Sequence, residues 1–71
     1  MRYLAVLGFN TKQWWIYDNE KDVYIDPPVK VLKQLEKLSN DDAERKLEEI
    51  ANSKPSPDWL FEKDFWYDGD I

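Results

Sequence analysis

The sequence predicts an α+β fold: a three-stranded antiparallel sheet, made of an N-terminal strand plus a hairpin, covered by an antiparallel helix pair, with an aromatic C-terminal segment folding back on the sheet. Three observations carry this expectation. Residues 14–25 (WWIYDNEKDVYI) alternate bulky side chains on either side of a polar stretch, the pattern of a hairpin. Residues 31–51 change to helical spacing. Residues 59–67 (WLFEKDFWY) then place six bulky apolar side chains among nine. With 71 residues the chain makes one domain. It divides into a β-meander (1–26), a helical hairpin (27–53) and an aromatic, acidic C-terminal segment (54–71).

Residues 3–9 (YLAVLGF) are apolar at almost every position, which predicts a central strand buried on both faces. Gly8 near its end predicts a bulge or a close backbone approach. Residues 10–12 make a tight connection to a second strand, 14–17. The turn DNEKD follows, with four charges and an Asn, Asn19, that tolerates left-handed geometry, and then a third strand, 23–25. Alternation puts Trp14, Ile16, Val23 and Ile25 on one face and Trp15, Tyr17 and Tyr24 on the other.

Asp26-Pro27-Pro28 ends the sheet and opens a helix, with Asp26 as cap and proline in the first turn. Val31, Leu32, Leu35 and Leu38 form its apolar stripe. Asp41 with Glu44 has capping-box spacing for a second helix, whose apolar face is Ala43, Leu47, Ile50 and Ala51. Asp41–Arg45 and Asp42–Lys46 have the spacing of helical ion pairs. The first helix carries Lys30, Lys33 and Lys37 against Glu36, and the second carries five acids against Arg45 and Lys46. Such helices are expected to lie side by side. Pro55 and Pro57 stop the second helix, and Ser56 can cap a short third one. Residues 59–67 are compatible with helix, strand or both, and residues 68–71 read as a loose acidic end.

Composition narrows the function. Ten basic against fifteen acidic residues leave a net charge of −5, which argues against a phosphate backbone or an anionic membrane as partner. The chain has no cysteine and no histidine, which removes disulfides and the commonest nucleophile, general base and metal ligands together. No phosphate-binding, nucleotide or metalloprotease motif occurs. The expectation is therefore a protein without catalysis, cofactor or metal. Cysteine-free composition fits a cytoplasmic setting.

The aromatic inventory is large: four Trp, four Tyr and three Phe. Rings of this kind build a small core, and they are also the usual anchors of protein interfaces. Trp15, Tyr17 and Tyr24, with Phe65, Trp66 and Tyr67, are the candidate partner-binding residues, rimmed by Asp and Glu that would steer a basic protein partner. A homodimer through the same rings is a further possibility. The rival reading is an acidic nucleic-acid mimic, an inhibitor of a DNA- or RNA-binding protein. It rests on Asp41, Asp42, Glu44, Glu48 and Glu49, crowded on one helix.

Overall fold

A computed structural model of the chain describes residues 1–71. Its elements run β1 (Tyr3–Leu7), β2 (Trp14–Asp18), β3 (Val23–Ile25), α1 (Val29–Leu35), α2 (Asn40–Ala51), two 3-10 turns (Asp58–Phe61 and Lys63–Phe65) and β4 (Trp66–Tyr67). The fold is α+β, with an antiparallel sheet and two helices. The sheet has four strands rather than three, in the order β1-β2-β3-β4. The added strand is the aromatic pair itself, which places Tyr67 opposite Tyr24 and Trp66 opposite Ile25. Two residues are too few to show a period of two, so the sequence pattern could not reveal them.

Both hairpins use the same four-residue loop. Lys12 N–H donates to Gly8 O at 3.1 Å and Asp22 N–H donates to Asp18 O at 2.8 Å. The chain then leaves each loop through a left-handed residue, Lys12 at φ 59° and Asp22 at φ 54°. The left-handed position of the second hairpin is therefore Asp22, although Asn19 in the same loop also tolerates that geometry. The hydrogen bond back to Asp18 sets the reversal at the end of the loop rather than at its start.

Asp18, only 1% exposed, fixes this second hairpin. Its carboxylate accepts from Arg2 Nε and Nη2, both at 3.1 Å, and from the backbone N–H of Glu20 and Lys21 at 3.0 and 3.3 Å. Burial alone would raise its pKa. Arg2 and the two turn amides outweigh that and hold it below the ordinary carboxylate value.

The N-terminal strand is an edge strand, not a central one. Its burial alternates: Tyr3 and Ala5 are buried, Leu4 and Val6 half-buried, and Leu7 is 45% exposed. The reason is that α2 lies along one face and over the free edge. Asn52 Oδ1 accepts from Tyr3 N–H at 3.3 Å and its Nδ2 donates to Tyr3 O at 3.0 Å. Glu48 Oε2 accepts from Ala5 N–H at 3.0 Å. Side chains of α2 and of its C-terminal cap, Asn52, thus satisfy edge groups that another strand would otherwise pair.

One face of the sheet carries the core. Ile16 and Ile25 meet Val31 and Leu35 of α1, Leu47 of α2 and Leu60, while Ala43 and Ala51 let α2 approach closely. Trp14, Val23 and Ile50 pack around this cluster. The first helix is shorter than its stripe predicts. Pro28, not Asp26, precedes it, without a side-chain cap, and Leu38 lies beyond its end, 39% exposed. Asp26 instead accepts from Gln13 Nε2 at 2.9 Å and donates its N–H to Phe65 O. The cap of α2 is Ser39, whose Oγ accepts from Asp42 N–H at 3.3 Å, rather than Asp41. The expected pairs Asp41–Arg45 and Asp42–Lys46 do not form. Arg45 approaches Asp42 at 3.9 Å, and no ion pair joins the two helices, because these exposed side chains gain little from ordering in water. Ser56 caps nothing; Pro57 precedes the first 3-10 turn.

Asp18 makes stability acid-sensitive. Its lowered pKa contributes stability that is full above the ordinary Asp value and is lost as pH falls through the folded value. Asp18→Asn is expected to cost on the order of 2 kcal/mol at pH 7. In urea titrations the gap between variant and parent should narrow steadily below about pH 4. Lys12→Gly should raise the unfolding free energy by about 0.5 kcal/mol, since relief of the left-handed penalty exceeds the entropy glycine adds to the unfolded chain.

Candidate functional site on the open sheet face

The helices cover only one face of the sheet. On the other face the register lines up Leu4, Tyr17, Tyr24 and Tyr67 across all four strands, with Val6 and Trp15 as a second row. The Tyr17 and Tyr24 rings sit 5.2 Å apart at a tilt of 47°. Trp15 stacks on Tyr67, centroids 5.4 Å apart and planes 26° apart. Trp15 is 7% exposed and Tyr67 44%, so the patch has a buried floor and an open end. The Tyr17 phenol donates to the Asp22 carboxylate, which raises the phenol pKa.

Four of the six candidate rings, Trp15, Tyr17, Tyr24 and Tyr67, therefore meet on one surface. Phe65 and Trp66 do not. Both pack toward the core on the helix-bearing side. Trp66 Nε1 donates to Leu60 O at 3.2 Å, and Lys21 Nζ lies 4.2 Å from its ring centroid. In a two-residue strand neighbouring side chains point to opposite faces, so Trp66 and Tyr67 cannot both join the patch. Sequence reasoning missed Leu4 and Val6. Had residues 3–7 been read as alternating, their pairing opposite Tyr17 and Trp15 would have placed them here.

The chain end crosses toward this same surface, and residues 68–71 are not loose at their last residue. The Ile71 main-chain oxygen accepts from the N–H of Asn10 and of Thr11, both at 2.8 Å, and from Thr11 Oγ1 at 3.1 Å. Trp15 Nε1 in turn donates to Thr11 Oγ1 at 2.8 Å. Gly8 lies beneath this junction. A Cβ there would stand 2.6 Å from Ile71 O and 3.1 Å from Trp15 Cδ1. Of the two expectations for Gly8, a bulge or a close approach, a close approach is present, to the Thr11 hydroxyl of the same loop and to the Ile71 backbone oxygen.

Elsewhere, a shallow groove of 380 Å³ runs between Leu7 and Trp14 on the sheet and Leu32 and Leu38 on the helical side. The exposed face of α2 gathers Asp41, Glu44, Arg45 and Glu48, but Glu48 is engaged at the edge of β1. No group of three or more carboxylates is placed to hold a metal ion. No helix is long and apolar enough to cross a membrane. Comparison of the chain with protein-family models, with curated protein sequences and with solved structures finds no match.

The Trp15–Tyr67 stack is worth about 1 kcal/mol beyond the area it buries. Tyr67→Ala should lower the unfolding free energy by at least that amount. It should also speed hydrogen exchange of the Trp15 indole N–H, read by NMR against the Trp66 indole, which stays protected at Leu60 O.

Proposed function

We propose that this chain is a small non-enzymatic interaction protein that docks a protein partner on the open face of its sheet. The observation that carries this reading is the cross-strand row of tyrosines, Tyr17, Tyr24 and Tyr67, on a face without a covering helix. Tyrosine combines large contact area with few torsions to freeze, which suits an interface anchor. Leu4 and Val6 extend the patch, and Trp15 is its floor. Phe65 and Trp66, on the opposite side, act as core residues that hold β4 in register. The C-terminal aromatic segment serves as partial cover, closing Trp15 with Tyr67 and leaving the rest for the partner.

Asp22 and Asp68 stand exposed beside Tyr17 and Tyr67, and the chain is acidic overall. The rim therefore favours a basic partner and speeds encounter more than it tightens the complex. A cytoplasmic setting suits a cysteine-free chain. A second reading, the nucleic-acid mimic, draws support from the exposed carboxylates of Asp41, Glu44 and Glu49 on α2.

The two readings differ in which face binds and in their response to salt. Tyr17→Ser together with Tyr24→Ser should weaken capture of an affinity-purified partner at least tenfold and lower Tm by no more than about 8 °C, since both rings are half-exposed. Binding that survives this change, but collapses between low and high salt and fails in Glu44→Gln/Glu49→Gln, would move the site to α2. Sedimentation of the chain alone, at two concentrations, reports whether the partner on the tyrosine face is a second copy.

A further inference from the structure

The chain has two glycines, and neither has positive φ, so neither is there for backbone freedom. Gly69 makes room for the Tyr67 ring, and Gly8 for both the Thr11 hydroxyl of its own loop and the Ile71 oxygen. Gly8 underlies the Ile71 oxygen, and a Cβ on Gly69 would stand 2.6 Å from the Tyr67 phenol oxygen and 2.7 Å from its Cζ. The loop that receives Ile71 presents two consecutive N–H groups, Asn10 and Thr11, with a hydroxyl oriented by the Trp15 indole. Successive amides aimed at one oxygen form a concave acceptor site. We infer that the β1–β2 loop, residues 8–13, together with Trp15 of β2 is a docking site for an extended peptide segment, and that residues 67–71 occupy it as a tethered ligand which a partner segment of like chemistry displaces.

The ligand chemistry is read from the occupant. An aromatic ring stacks on Trp15, a glycine two residues on tucks under that ring, and a main-chain oxygen four residues on takes the two amides and the Thr11 hydroxyl. The Ile71 side chain at that end is half-buried. A segment attached through so short a tether competes at an effective concentration of about millimolar. The site on the unmodified chain is therefore masked, and an added segment binds it with an affinity reduced by the fraction of open state. This site shares Tyr67 with the tyrosine row, but its hydrogen-bond donors, the Asn10 and Thr11 amides and the Thr11 hydroxyl, lie on the loop and not on the row.

The test uses the full chain with Gly69→Ala, in which the new methyl meets the Tyr67 ring, and separately with Ile71→Gly, which leaves that ring undisturbed. In both, hydrogen exchange at the Asn10 and Thr11 amides should quicken at least tenfold, while the ladder amides of β1 and β2 keep their rates. The pentapeptide Tyr-Asp-Gly-Asp-Ile should restore protection and shift the Trp15 indole resonance. It should need at least tenfold higher concentration on the unmodified chain, and Thr11→Val added to either variant should abolish the response. Folded variants whose Asn10 and Thr11 amides remain protected, or whose spectra ignore the peptide at millimolar concentration, would overturn the inference.

Discussion

The buried carboxylate of Asp18 is the contact on which the rest of the structure depends. It closes the β2–β3 loop through the amides of Glu20 and Lys21 and ties down the N-terminal segment through Arg2. By closing that loop it sets the pairing of Ile16 with Ile25 and of Tyr17 with Tyr24. A slip of one residue would turn Ile16 outward and bring Trp15 and Tyr17 against the helices. The two faces of the sheet, one packed against the helices and one without a covering helix, exist because this register is held.

The second constraint is the amount of helix. Seven residues in α1 and twelve in α2 cover one face of a four-stranded sheet and part of one edge. A chain of this length has nothing comparable left for the opposite face. It manages that face in graded fashion. Trp15 is sealed by Tyr67 and by the Thr11–Ile71 junction, whereas Tyr17 and Tyr24 shield each other only in part. Two aromatic residues adjacent in sequence consequently do different work. Trp66 faces inward with its indole N–H satisfied by Leu60, and Tyr67 faces outward.

Much of this was legible from residue order, because alternation and helical spacing are local signals. The facing of Trp14 and Ile16 against Trp15 and Tyr17 follows from the period of a strand, and the stripe of Leu47 and Ala51 from the period of a helix. The errors came from elements whose environment is set by distant residues. Residues 3–7 read as a central strand because their hydrophobicity is nearly continuous, yet the burial of a strand also depends on what lies beyond its edge, here Glu48 and Asn52. The capping residue shifted from Asp41 to Ser39, since both have capping chemistry and only the path of the incoming chain decides between them. The split of the six candidate rings into four and two required the pairing of β4, which joins positions some forty residues apart. Gly8 marks either a bulge or a close approach, and nothing local identifies Ile71 as one of its neighbours.

The side chains of Glu48 and Asn52 along β1 have a consequence for the chain in a crowded solution. A four-stranded open sheet has two borders at which another molecule could add a strand and begin cross-β growth. At one border, Glu48 of α2 already holds the Ala5 amide, and Asn52 at its C-terminal cap holds the Tyr3 amide and carbonyl. At the other, β4 is two residues long, and its Trp66 amide is turned back to Lys63 O. An apolar N-terminal strand that would be hazardous on its own is thereby kept from templating others. A chain with an aromatic face open to solvent can thus resist assembling through its backbone while it keeps its side chains available.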